Sequence, residues 1–326
     1  MMKKVGIIGL GKYLPEKILT NAQLEKMVDT TDEWITTRTG IKQRRLAAKN
    51  QATSDLAIEA SKDALKKAKL KPENLDLIIV ATITPDMQFP STACIVQDAI
   101  GAKKAACFDL SAACAGFVYG LVVAKQFIAS GTYKNALVIG AEVLSSMVDW
   151  HDRNTCVLFG DGAGAAVLAE SNSAVIISTY LGSNGEMGDL LMVPGGGSRH
   201  PFSQHTLDNK LHYLKMRGNE LFKSAVNFMA QAAHTALDEA GLSCKDVDCL
   251  IPHQANIRIL LAVAKKVGLP ESKIYMNIEK YGNMSSASTA IALCEAVEKG
   301  RIKKGDIVLL DAFGAGLVWG ASVLKW

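Results

Sequence analysis

The residues most able to do covalent chemistry in this 326-residue chain are a cysteine, a histidine and an asparagine, widely separated but each set at a similar kind of turn. In DLSAACAGFVYGL (109–121), an apolar run ends in small residues and Cys114 opens what reads as a helix. A helix N-terminus favours a thiolate, and its free N–H groups face a developing anion. Ala112, Ala113, Ala115 and Gly116 let a substrate approach the backbone. Position favours Cys114 over Cys94, Cys107 and Cys156, for which a buried, inert thiol is the plainer reading. In DCLIPHQANIRIL (248–260), His253 stands at the tip of a predicted strand, just before a helix that begins near Asn256. In EKYGNMSSASTAIAL (279–293), Gly282 and Asn283 precede another helix start, where an asparagine also serves as an N-cap. Near the end, Gly314-Ala315-Gly316 forms a turn whose backbone N–H groups suit an oxyanion. This set contains no carboxylate. A neutral histidine and an amide donate hydrogen bonds to an enolate without having to remove a carbon-bound proton. That chemistry suits decarboxylation, in which loss of CO2 itself generates the carbanion.

These groups need a scaffold that brings distant turns together. Short apolar runs at 5–10, 77–81, 106–110, 136–140 and 163–169 read as strands, and helical periodicity runs through 54–69, 90–99 and 114–129. Alternation of this kind predicts an α/β protein with helix-covered sheets. The second half repeats the first. Ala64, Leu65, Ala68, Leu70, Asp76 and Ile79 fall on Ala236, Leu237, Ala240, Leu242, Asp248 and Ile251 at a constant offset of 172. The same offset carries Cys114 onto Ser286, just after Asn283. Two units are expected, 1–172 with the cysteine and 173–326 with the histidine and asparagine. Functional groups should then gather between them, at strand C-termini and the helix starts that follow. Residues 183–215 read as a long functional or mobile loop, and 30–50 as a polar insertion.

Composition narrows the class. The chain is 49% hydrophobic and 21% charged, which is globular, and its net charge of +4 is too mild for a nucleic-acid binder. No apolar stretch is long enough to span a membrane. The N-terminal apolar run stops at Lys12 without a cleavage site, so it reads as a strand and not a signal peptide. Seven cysteines with no Cys-x-x-Cys pair argue against a zinc or other metal site and for a reducing, cytoplasmic setting.

Taken together, the Cys114 turn, HQAN (253–256), YGN (281–283) and GAGLVWGA (314–321) resemble the β-ketoacyl-[acyl carrier protein] synthase III family. TTDEWITTRTGIKQRR (30–45), FPSTAC (89–94) and FGDGAGAAVL (159–168) extend the likeness over essentially the whole chain. The resemblance implies a duplicated thiolase-like fold of five layers (α-β-α-β-α) with mixed sheets, and a homodimer. It implies transfer of an acyl group, foremost acetyl, from acyl-coenzyme A to Cys114. Decarboxylative condensation with malonyl-[acyl carrier protein] would follow, with no cofactor beyond the coenzyme A thioester that enters as substrate. His253 and Asn283 would hold the malonyl thioester and its enolate. The backbone N–H of Cys114, with that of Ala315 or Gly316, would form the oxyanion hole.

By the same resemblance, Thr30, Trp34, Arg38 and Arg153 would bind coenzyme A. The spacing Thr30-x-x-Glu33 also reads as a capping box that puts Trp34 and Arg38 one turn apart. Gln254, Ala255, Asn256, Ile257 and Arg258, with Lys223, Lys265 and Lys266, would face the acidic carrier protein. Phe89 would reach the partner subunit's acyl pocket. Three rivals differ in class or chemistry. A papain-like protease shares the Cys/His/Asn set but lacks the local cysteine signature. A degradative thiolase would need a second cysteine in 313–317. A carrier-protein-binding module would never be acylated.

Overall fold

A computed structural model describes residues 3–326. Nine strands carry the fold: β1 (Val5–Tyr13), β2 (Leu77–Ala81), β3 (Ala106–Leu110), β4 (Asn135–Val143), β5 (Asp161–Glu170), β6 (Val175–Ser183), β7 (Cys249–Pro252), β8 (Ile307–Gly314) and β9 (Val318–Lys325). Their order is β7-β8-β9-β6-β1-β5-β4-β2-β3. Parallel pairs (β2 with β3 and β4, β7 with β8) mix with antiparallel ones, and only Gly6↔Val175 joins β1 to β6. The order is therefore two sheets meeting edge to edge at a single residue pair.

Helices complete the layers. α1 (Asp32–Thr39) lies in the polar insertion, and α2 (Thr53–Ala68) with α3 (Thr92–Ile100) covers the outer face of the first sheet. α4 (Gly116–Ala129) and α7 (Ser286–Glu298) lie between the sheets, while α5 (Gly218–Glu239) and α6 (Ile257–Val267) cover the second. Helix, sheet, helix pair, sheet, helix is the five-layered thiolase architecture. α7 is buried on nearly every side, which its small residues Ala287, Ala290, Ala292 and Ala296 permit. A helix apolar or small all round has no solvent face to display and belongs in the middle layer. No helix among the described residues is long and apolar enough to cross a membrane.

The two segments without clear periodicity acquire structure from their contacts. In the polar insertion, the 43–46 strand pairs with 17–20. Arg44 on that strand is wholly buried, and its guanidinium donates to Leu19 O (3.1 Å), Asn21 Oδ1 (2.9 Å) and Val157 O (2.8 Å). Burial lowers its pKa to about 10, still far above neutrality, so a cation pins the insertion to the core. Segment 183–215 is only partly loop. It holds a 3-10 turn (Gly185–Leu190), a short helix (Gln204–Asp208) and a two-residue pairing of Leu191–Met192 with Lys215–Met216.

Candidate active site

β3 ends at Leu110, and a 3-10 turn (Ala113–Ala115) lifts Cys114 onto the start of α4. Ala113 has φ +43°, a left-handed conformation that strains a residue bearing a Cβ and occurs where surrounding structure imposes it. Gly314, at the end of β8, presses on this turn. A Cβ there would meet Cys114 N at 2.6 Å, so only glycine lets the 314–316 turn lie against the Cys114 amide. Cys114 is buried yet lines two cavities. One, of about 560 Å³, also takes in His253, Asn283, Gly314, Trp34, Arg38, Lys223 and Arg258. The other, of about 800 Å³, has apolar walls including Ile83, Leu144, Met147, Leu191 and Leu214, with Ala315 and Gly316 at its edge. The cysteine thus stands where two chambers join.

His253 follows β7, and its N–H donates to Asp311 O on β8 at 2.7 Å. Burial alone drives its imidazole pKa from 6.5 to about 3, so it is neutral at physiological pH. Asn283 is fixed by three contacts. Its N–H donates to Leu158 O (2.8 Å), its O accepts from Gly160 N (3.0 Å), and its Oδ1 accepts from Ser285 N (2.8 Å). With Oδ1 engaged, the amide nitrogen remains the group free to donate toward the cavity. Gly282 before it has φ +66°, and a Cβ would meet Leu158 O at 2.7 Å. The Arg44 bond to Val157 O steadies that same segment. α7 then begins at Ser286, whose Cβ lies 3.4 Å from the position a Cβ on Gly116 would take. The helix starts related by the 172-residue offset therefore pack against each other.

Several expectations need correction. Cys114 is not a resting thiolate: burial pushes the thiol up to about 12, outweighing the help of Ser285 and the backbone. The capping box at Thr30 is not formed. Thr31 is the N-cap, accepting from Trp34 N at 3.0 Å, and the Thr30 hydroxyl is buried without a partner and outside the lining of the 560 Å³ cavity. Gln254 is wholly buried and bonded to Pro252 O (2.7 Å) and Asn277 N (3.0 Å), so a docking protein cannot touch it. Asn256 caps α6, accepting from Arg258 N at 2.8 Å, and the Ile257 side chain abuts Gly40.

Other placements suit a ligand-binding mouth. The Arg38 and Arg153 guanidinium carbons lie 4.9 and 5.2 Å from the Trp34 ring centroid. Arg258, Lys265, Lys266 and Lys223 are all exposed, Arg258 over the Phe222 ring at 5.7 Å and Lys266 bonded to Asn227. Ala255 is half-buried in the cavity wall beside them. Phe89 is 83% exposed, next to the lining residues Met87 and Gln88. Sequence reasoning passed over Ser285 and Glu142. Ser285 has φ +47° and lines the larger cavity beside Cys114, and no pattern in the sequence marks it. Glu142 had a signal, a single acid within the apolar strand VIGAEV.

A five-layered duplicated fold with a buried cysteine, a histidine and an asparagine gathered on one cavity is that of a thiolase-type acyltransferase. The family model described as "3-Oxoacyl-[acyl-carrier-protein (ACP)] synthase III" matches residues 108–185, and its C-terminal counterpart matches 237–326. The chain belongs to that family. It is 61% identical to the beta-ketoacyl-[acyl-carrier-protein] synthase III of Caldanaerobacter subterraneus subsp. tengcongensis, over 98% of this chain and 97% of that one. Against the same-named protein of Clostridioides difficile, identity is 56% over 100% and 99%. The crystal structure of 3-oxoacyl-[acyl-carrier-protein] synthase III from Aquifex aeolicus superposes with a TM-score of 0.92 at 50% identity, covering 99% of this chain and all of that one.

Proposed function

We propose that this chain initiates fatty-acid synthesis by priming itself from an acyl-coenzyme A and condensing the primer with malonyl-[acyl carrier protein]. The observation that carries the reading is the position of Cys114 at the junction of two cavities, with His253 and Asn283 on one side only. Acyl-coenzyme A enters the 560 Å³ cavity with its nucleotide end near Trp34, Arg38 and Arg153. Cys114 Sγ attacks the thioester carbon. The oxyanion takes the backbone N–H of Cys114 and one from Ala315 or Gly316, and coenzyme A leaves with the thiol proton. The acyl chain rests in the apolar 800 Å³ cavity, which has room for acetyl and for branched or longer primers.

Malonyl-[acyl carrier protein] then uses the same entrance, drawn by Arg258, Lys223, Lys265 and Lys266. His253 and Asn283 donate to its thioester oxygen as CO2 departs, and the enolate carbon attacks the acyl-Cys114 carbonyl. Collapse of that adduct frees the 3-oxoacyl product and returns the thiolate, which takes a proton. Because His253 is neutral, it acts as a donor and carries no charge into the site.

The working form is a homodimer, supported by the exposed Phe89 and by β3, which has an unpaired edge in this chain. The partner's Phe89 would close the primer cavity. Division near residue 172 into two units, a cytoplasmic setting for the seven free thiols, and reaction without a bound cofactor belong to the same reading. Incubation with labelled acetyl-coenzyme A should add one acetyl mass to Cys114, and malonyl-[acyl carrier protein] should then release CO2 and discharge it. Full labelling of the Cys114→Ala variant would refute the assignment.

A further inference from the structure

Beneath the nucleophile lies a carboxyl group that the mechanism above does not use. Glu142, on β4, is fully buried. Its Oε2 accepts from Thr84 Oγ1 (2.7 Å), Thr82 Oγ1 (3.1 Å) and Ile83 N (3.1 Å). Both threonine hydroxyls also accept from backbone N–H groups, Val143 N at 2.9 Å and Thr84 N at 3.0 Å, which leaves their own protons to point at Oε2. The other oxygen is placed differently. Oε1 lies 3.2 Å from Ser286 Oγ, but that hydroxyl is only 2.7 Å from Ala81 O. A carbonyl oxygen has no proton, so the serine must donate there. A hydroxyl has a single proton, and the contact between Ser286 Oγ and Oε1 is a hydrogen bond only if Oε1 supplies one.

We propose that Glu142 is kept as a neutral carboxylic acid, with its proton on Oε1 bonded to Ser286, and that it positions the Ser285–Ser286 turn against Cys114. Burial acts in the same direction, raising the carboxyl above its ordinary range. The Ser285 hydroxyl stands beside both the Cys114 thiol and the Glu142 carboxyl, and it forms no well-aligned bond at rest. Holding this turn matters because it carries Asn283 two residues upstream and forms the wall beside the nucleophile. The charge state matters equally. A carboxylate would oppose the thiolate that Cys114 must become, and Glu142 as an anion pushes that thiol up. The neutral acid retains the hydrogen bonds and removes the repulsion. This inference concerns the environment of Cys114 and rests on its being the acylated residue.

Protein labelled with 13C at the glutamate δ-carbon tests the protonation state without any substitution. At neutral pH one glutamate resonance should sit at the position of a protonated carboxyl. The other buried glutamate, Glu295, is held below the ordinary range and should appear ionised. The label is confined to glutamate, so buried aspartates do not interfere. A spectrum in which every glutamate is ionised would overturn the proposal. Glu142→Gln supplies the second reading, because its amide reproduces both the acceptor and the donor. The variant should lose the protonated resonance yet acylate Cys114 within about fivefold of the parent rate, the equivalent of one neutral hydrogen bond. A greater loss in a folded variant would mean that a carboxylate at 142 accepts the thiol proton, and the neutral-acid assignment would fall. Labelling of Cys114 by acyl-coenzyme A in the unsubstituted protein separates this failure from failure of the functional reading.

Discussion

Acid should destabilise this protein through His253, by an amount the structure allows to be worked out. The imidazole titrates near 6.5 when exposed and near 3 in the fold, where burial disfavours its cation. Between those values the unfolded chain binds a proton that the folded chain refuses, so stability falls as pH falls. From pH 7 to pH 5 the loss is about 2 kcal/mol, and by pH 3 it exceeds about 4 kcal/mol. The loss at pH 5 is set by the unfolded imidazole, since the folded group is unprotonated throughout that interval. Buried Glu142, Asp161 and Asp311 shift the other way, because carboxyls raised by burial take up protons in the fold first. Those groups are common to parent and variant, so a difference of differences removes them. Urea unfolding of the parent and of His253→Asn, at pH 7 and pH 5 and one protein concentration, isolates the term. The parent should lose about 2 kcal/mol more than the variant on acidification. Equal losses would mean that the histidine is accessible to protons in the fold, and its assignment as a neutral donor would fail.

The remaining outcomes concern the two half-reactions. His253→Ala and Asn283→Ala should each slow release of CO2 from malonyl-[acyl carrier protein] by ~10²–10³, while acyl transfer to Cys114 survives in part. The double variant should lose less than the product of the two, because both donors serve one oxygen. If His253→Ala abolishes acylation and spares decarboxylation, the histidine is the cysteine's base. Arg258→Glu should impair turnover with malonyl-[acyl carrier protein] far more than acylation from acyl-coenzyme A, most strongly at low ionic strength. Equal loss in both half-reactions would indicate another docking face.

The sequence by itself made legible the main strands and helices of the first half and which residues are candidates for the chemistry. The strand at 77–81 coincides with its apolar run because every residue in it is buried, and a strand covered on both faces must be apolar throughout. The 172-residue offset placed Cys114 and Ser286 at related helix starts, because duplication preserves spacing even where side chains diverge. What tertiary structure alone decided is the electrostatic state of the site. Helix position suggested a thiolate at Cys114, but five-layer burial outweighs the dipole and holds it as a thiol. The family resemblance gave Gln254 to the docking surface, whereas the β7 tip turns it inward onto Pro252 and Asn277. Thr30 and Thr31 are adjacent and equally fit to cap by residue type, and only the folded chain shows Thr31 in the extended cap conformation with its hydroxyl on Trp34 N. The left-handed backbone of Ala113 and Ser285 carries no glycine or asparagine to announce it. Each of these depends on which distant atoms surround a group, and desolvation and strain are set by those neighbours. Periodicity and residue type report local preference, and the state of a buried charge is decided by everything packed around it.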